Sequence, residues 1–389
     1  MMRTLLLRNA RLVLPERIIG PAALLIESGH IARILETGAE TTADETIDVE
    51  GLTVFPGFID IHIHGAAGID TLAADASDLT RVAEFLARHG VTAWMPTLVP
   101  APDEQYQAAI RAIDQLMSQT GSHARALGVH YEGPFVNSEQ CGALHQEYFK
   151  TFKGTADLDS LPKLENTEGR HMMTLAPEID GGVALIKELK QRGWVASIGH
   201  TKADIEVLDQ ALAAGATHMT HFMNAMTPLH HREVGAVGWG LAHDDVTCDI
   251  IADGIHINRA VLKLIARAKR AERVSLISDA IAATGRGDGE YEIWGEKINV
   301  TNGSTRNAKG SIACSVITIL DAVRMMLSLG VNEEDVARMA SLNPARLLGI
   351  HRECGSIAVG KRADLVALDE QRNVRVVIIG GRRVMSDES

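Results

Sequence analysis

A chain of 389 residues can bury a large core, and 46% apolar with 23% charged residues is an ordinary globular composition. The net charge of −12 excludes nucleic acid as a general partner, since phosphate backbones demand clustered Lys and Arg, but leaves room for a small anion held by local cations. No run of about 18 apolar residues occurs, so no membrane span is expected.

Cys141, Cys248, Cys314 and Cys354 are far apart and form no C-x-x-C pair, so neither a disulfide framework nor a cysteine-based zinc site is expected. A cytoplasmic protein is the simplest reading. In MMRTLLLRNARLVLPE, Arg3, Arg8 and Arg11 interrupt any apolar signal segment, and the stretch reads as a strand. Residues 4 to 54 continue with short β-branched runs, RLVLP, ALLIESG and HIARIL, with ESGH as a hairpin turn.

The texture then changes to apolar strands alternating with amphipathic helices. Eight strands are predicted: VFPGFIDIH, VTAWMPTLV, RALGVHYE, HMMTLAPE, WVASIGH, ATHMTHF, TCDIIAD and VSLISDA. Helices are predicted at 79–89, 183–193 and 202–215, and after the eighth strand in ITILDAVRMMLSLG and EEDVARMA. A doubly wound open sheet would show fewer strands and a Gly-rich first turn, and no G-x-G-x-x-G or P-loop follows the first strand. The tail returns to strands, DLVALDE and VRVVIIGGRRV, with GG as the turn. The expected organisation is α/β: a (β/α)₈ TIM-type barrel over 55–354, with a small β-sandwich domain formed from both termini, 1–54 plus 355–389.

Catalytic groups of a barrel sit where strands end. Here the first strand ends in His62-Ile63-His64, the third in Glu132, the fifth in His200, the sixth in His221 and the eighth in Asp279. His62 and His64, two apart, project from one side of a strand. Each residue alone also has a plain structural reading: a hydrogen-bonded polar pair, a buried histidine, a loop ion pair. His218, inside the sixth strand, is read that way. Convergence from five strands is difficult to explain by packing. One carboxylate and two histidines with open positions is the donor set of catalytic zinc, and Asp279, ending so apolar a strand, requires compensation.

The runs PGFIDIHIHG, HYEGPFVN, TLAPE, IGHT, THFMNAMTPLHHRE, IADGIH, SDA and GSIAVGKRADLVAL, in this order, resemble the amidohydrolase superfamily. Within it they are similar to the N-acetylglucosamine-6-phosphate deacetylase family. The resemblance implies a hydrolase releasing acetate from N-acetylglucosamine 6-phosphate, or from N-acetylgalactosamine 6-phosphate. It implies that Glu132, His200 and His221 bind a principal divalent metal, zinc being expected, and that His62 and His64 add a second site, giving one or two ions per subunit. It assigns Asn224 and the backbone of Ala225 to the sugar phosphate, with Arg232, reaching from a neighbouring subunit of a homodimer, and His256 supplying positive charge. Asp279 would accept the proton of the attacking water and return it to the departing amine. No G-x-S-x-G elbow is present, in keeping with direct attack by water.

Two positions depart from the family pattern. Many relatives read G-A-H after the EGPF turn, whereas Leu144 holds that slot here and His145, the candidate substitute, is displaced by one residue. Cys314 stands where relatives often have a small residue. A dihydroorotase-like or hydantoinase-like enzyme would carry a lysine on the fourth strand, and HMMTLAPE has none. A deaminase is disfavoured by the phosphate-directed N-A-M and H-R-E segments. A catalytically silent scaffold would have lost ligands that this chain retains.

Overall fold

The computed structural model describes residues 4–36, 41–308 and 310–386; Arg3, part of the amino-terminal reading, lies outside them. The first predicted strand forms as Phe58–Ile63 and pairs in parallel with Val91–Leu98. Parallel order then runs through Gly128–Glu132, Arg170–Leu175, Val195–Ile198, His218–Met219, Thr247–Ile251 and Val274–Ile277. The eighth strand returns to the first without a regular ladder. There the Asp279 amide donates to the His62 carbonyl at 2.9 Å, and the Ser278 hydroxyl donates to Asp60. Nearly every strand residue is buried, as expected where helices cover one face and side chains fill the other.

A helix follows each strand: Ala76–Arg88, Asp103–Met117, Thr155–Asp159, Gly182–Gln191, Ile205–Ala214, Gly235–Ala242, Arg259–Lys269 and Ile319–Ser328. The first buries Leu79, Val82, Ala83, Leu86 and Ala87, one apolar stripe at helical spacing. Burying each of Leu79, Val82 and Leu86 contributes about 1.5–3 kcal/mol. This helix begins three residues before the apolar periodicity does, because Asp75 caps it by accepting from the Asp78 amide at 2.9 Å.

Strands from both chain ends share one sheet. Thr4–Val13 pairs with Ile18–Glu27 and, in parallel, with Thr53–Pro56, which pairs antiparallel with Leu365–Leu368 from the carboxyl-terminal part. Leu7, Leu12, Leu24, Val54, Leu365 and Ile378 share its core. The ESGH hairpin forms, with Ser28 and Gly29 at φ 50° and 83°; Gly380 and Gly381 turn the last hairpin at 55° and 72°. Two positive φ values match the twist of the flanking strands.

One feature was not read from the sequence. Between the eighth strand and its helix lies a three-stranded antiparallel sheet, Gly289–Ile293, Glu296–Thr301 and Ser304–Asn307. Its strands are short and largely solvated; only Ile293, Ile298 and Val300 join a small cluster with Ile281, Ala283 and Ala313. The hairpin signal was Asn302-Gly303, both at positive φ.

Candidate active site

The six strand-end residues meet at the carboxyl-terminal mouth of the barrel. Glu132 lies at the centre. His200 Nε2 and His221 Nε2 are each 3.0 Å from its Oε1 and 3.1 Å from each other. On the other side, His62 Nε2 and His64 Nε2 are 3.1 Å apart. They lie 3.5 and 3.3 Å from Glu132 oxygens, and both are 3.3 Å from Asp279 Oδ1. All six side chains are buried.

The backbone bends to achieve this. His200, His221 and Asp279 have φ of 49°, 33° and 50°, a left-handed conformation that costs non-glycine residues about 1–3 kcal/mol each. At these positions the chain leaves its strand, and the turn directs each side chain toward the barrel axis. Strain at three strand ends around one point argues that the convergence is selected for chemistry.

The donor set fits a metal. Glu132–His200–His221 and His62–His64–Glu132 are each three-donor groups within 4.8 Å. Donors of a tetrahedral zinc at ~2.0–2.1 Å stand about 3.3 Å apart, the scale seen here. Two imidazole nitrogens lie 3.3 Å from Asp279 Oδ1, yet this buried oxygen has no hydrogen-bond partner among the described residues. Nitrogen and oxygen donors crowded at one point, with a buried carboxylate oxygen left over, are arranged for a shared cation. The His200 Nδ1–H donates to the Gln140 carbonyl at 2.7 Å, which leaves the Nε2 lone pair facing the cluster.

Electrostatics agree. Burial alone would lower the pKa of His64, but the carboxylates of Asp279 and Glu132 outweigh it and push it up to about 10. Against the same burial, Glu132 lifts His221 to about 9. Burial would raise Glu132 and Asp279; the surrounding imidazoles instead hold both carboxyls far below the usual range. Without a metal, the cluster therefore binds protons tightly in its place.

Supporting contacts lay outside the sequence reading. Glu178, of the TLAPE run, accepts from Asn137 Nδ2, Thr201 Oγ1 and the Lys202 amide at 2.8, 2.6 and 2.6 Å, tying together the loops after the third and fifth strands. Asp249 accepts from the His221 amide and from His218 Nε2. Trp294, carried by the unforeseen sheet, packs edge-on against His64 at 5.2 Å and donates to Asp70 at 2.7 Å. Cys314 joins His64 and Asp279 in a third donor group. Spacing alone gave no signal for these, because each residue lies on a different element from its partner, remote in sequence.

The remaining candidates surround the cluster at different distances. Asn224 follows His221 and bonds its carbonyl at 3.1 Å, and Ala225 takes φ 51° in the same turn. The side chain of His256 is nearly buried and held through Nδ1 by Asp253 at 2.6 Å. Arg232 lies exposed on the loop before Gly235–Ala242, with Nη1 on His231 Nε2 at 2.6 Å. His145 is not drawn into the cluster: Nδ1 meets Glu147 at 3.1 Å and Nε2 meets the Trp294 carbonyl at 2.9 Å. It lines a neighbouring cavity of about 620 Å³ with Asp70, Pro102 and Trp294.

A nearly closed parallel barrel presenting four imidazoles and two carboxylates at its carboxyl-terminal mouth is the framework of a metal-dependent hydrolase. The chain belongs to the amidohydrolase family, whose profile matches residues 53–384. It is 37% identical over 380 residues to the N-acetylgalactosamine-6-phosphate deacetylase of Escherichia coli O157:H7, covering 97% of this chain and 99% of that one. It is 35% identical over 388 residues to the N-acetylglucosamine-6-phosphate deacetylase of Bacillus subtilis (strain 168), covering 98% and 97%. A solved structure of a mutant N-acetyl-D-glucosamine-6-phosphate deacetylase from Mycobacterium smegmatis, in complex with N-acetyl-D-glucosamine-6-phosphate, superposes with a TM-score of 0.87. That protein is 32% identical, with 99% of this chain and 100% of that one covered.

Proposed function

We propose that this protein removes the N-acetyl group of N-acetylglucosamine 6-phosphate, giving glucosamine 6-phosphate and acetate. The observation that carries the reading is the convergence of Glu132, His200, His221, His62, His64 and Asp279. Relatives covering nearly the whole chain support the substrate class. N-Acetylgalactosamine 6-phosphate is the second reading, favoured by the 37% identity to the Escherichia coli O157:H7 protein.

Glu132, His200 and His221 would hold the principal ion, with His62 and His64 able to share a second. Zinc suits nitrogen and carboxylate donors. Such an ion supplies water activation at neutral pH and polarises the amide carbonyl. Asp279 Oδ1, unpartnered beside both H-x-H imidazoles, accepts the proton as the new C–O bond forms. Asp279 returns that proton to nitrogen as the C–N bond breaks, so the sugar leaves as a neutral amine. Asn224 and the backbone of Ala225 orient the sugar phosphate; His256, steadied by Asp253, and Arg232 supply its positive environment. Arg232, exposed on its loop, is suited to reach into the site of a second copy in a homodimer. The site needs no membrane, and we assign the protein to the cytoplasm.

The test is a panel assay of acetate release from both hexosamine 6-phosphates and the unphosphorylated sugars, with metal analysis of the same preparation. N-Acetylglucosamine 6-phosphate should be turned over fastest. In Arg232→Ala, kcat/KM for the phosphorylated sugar should fall roughly tenfold or more, the scale of losing a hydrogen bond to a charged group, with little change for the free sugar. Equal losses on both would count against the phosphate assignment.

A further inference from the structure

Cys314 has no part in the chemistry above, yet its sulfur stands at the cluster. Its Sγ, a His64 ring nitrogen and an Asp279 carboxylate oxygen lie within 4.8 Å of one another. Its position is fixed by the backbone on both sides: the Ser315 amide donates to the Asp279 carbonyl at 2.8 Å, and the Cys314 carbonyl accepts from the Thr305 hydroxyl. Its own φ is 52°, the left-handed conformation shared by His200, His221 and Asp279. A cysteine retained only as a small apolar side chain has no reason to bear that strain beside two buried donors. Independently of the cysteine, Asp279 Oδ1 is an orphan: the residue is 6% exposed, and this oxygen has no hydrogen-bond partner among the described residues.

We propose that Cys314 supplies a thiolate to an ion held at the His64–Asp279 end of the cluster, so that this end is a sulfur-containing position while Glu132–His200–His221 offers only nitrogen and oxygen. The inference rests on the reading of the cluster as a metal centre. On coordination the sulfur keeps its electron pair and the thiol proton passes to solvent, so nothing is oxidised or reduced. A soft donor at one end biases that position toward zinc, cadmium or cobalt and away from magnesium or manganese. The two ends then differ in selectivity although they share Glu132.

The test uses the full chain, stripped of metal and reloaded with zinc or with cobalt. X-ray absorption of the zinc-loaded protein should show a sulfur shell at about 2.3 Å beside the nitrogen and oxygen shell. The cobalt-loaded protein should show a thiolate charge-transfer band in the near ultraviolet. Both signals should vanish in Cys314→Gly, which suits the left-handed backbone, and in Cys314→Ser, which keeps the side-chain size. Both variants should still bind an ion at Glu132–His200–His221. Bound ions surrounded by nitrogen and oxygen alone in the unaltered chain would overturn the inference and leave the metal-centre reading standing. A band that persists in either variant would overturn it equally. A chain that takes up no ion would remove both.

Discussion

Two layers of histidine face the barrel axis, one above the other, and burial does not distinguish them: His130 and His218 are as enclosed as His62, His64, His200 and His221. What differs is how their ring nitrogens are used. In the lower layer, both nitrogens of His130 have partners, the Ile61 carbonyl at 3.0 Å and Thr174 Oγ1 at 2.8 Å. Thr174 passes the chain of bonds to Thr220, and Ser197 joins it. His218 likewise spends both nitrogens, on Thr247 and Asp249. In the upper layer, Nε2 atoms and carboxylate oxygens crowd at 3.0–3.5 Å, and Asp279 Oδ1 is left without a hydrogen bond. The lower layer is finished by protein; the upper is built to be completed by something else. Residue type and burial do not identify a site, whereas convergent donors that leave buried polar atoms unsatisfied, here Asp279 Oδ1 and the Nδ1 atoms of His62, His64 and His221, do.

The comparison breaks most sharply at Asp279. Asp279→Asn keeps the shape but removes the proton acceptor, so acetate release should fall by about 10²–10⁴-fold while the fold is retained. Full turnover by this variant would remove Asp279 from its assigned role.

Acidity separates the layers next. His64 and His221, raised to about 10 and about 9, must surrender protons when an ion binds. Ion affinity should therefore climb with pH through the neutral range, by up to about tenfold per unit for each proton displaced. The metal-free protein should behave oppositely. A raised histidine pKa contributes stability that is fully present below the ordinary 6.5 and lost as pH rises through 9 to 10. Its Tm should fall over that interval. A zinc affinity independent of pH would show that the upper layer is not protonated as described. His130 takes no part, because burial and then the neighbouring His62 hold its pKa well below the usual value.

The smallest expected effect lies in the lower layer. His130→Leu takes the imidazole from the Ile61 carbonyl and leaves the Thr174 hydroxyl with Thr220 alone, at a cost of about 1–3 kcal/mol. Thermal denaturation should report that loss, with metal content unchanged. If the ion were lost as well, the two layers would be one functional unit.

Much of this was legible in the sequence because period and position carry it. Eight apolar runs, with amphipathic helices between many of them, gave the barrel, and the residues ending those runs gave the six members of the cluster. His218 was read as structural, and its two hydrogen bonds agree. What escaped depends on loops. The sheet at 289–307 has short, mostly solvated strands that leave only a faint apolar alternation, so Trp294 could not be placed beside His64. Glu178 stood within a quoted motif, but its partners Asn137 and Thr201 lie on loops of other strands, which no spacing rule connects. The displaced His145 shows the same limit of spacing: one residue in the loop sends it to Glu147 and Trp294.

The most direct test is to strip the protein with a chelator, confirm the loss of ions by metal analysis, and return zinc stepwise while measuring acetate release from N-acetylglucosamine 6-phosphate. The account predicts that the stripped chain is inactive and that activity rises in proportion to the ion bound until the Glu132–His200–His221 end is filled. Undiminished acetate release from protein shown to be free of metal would contradict it.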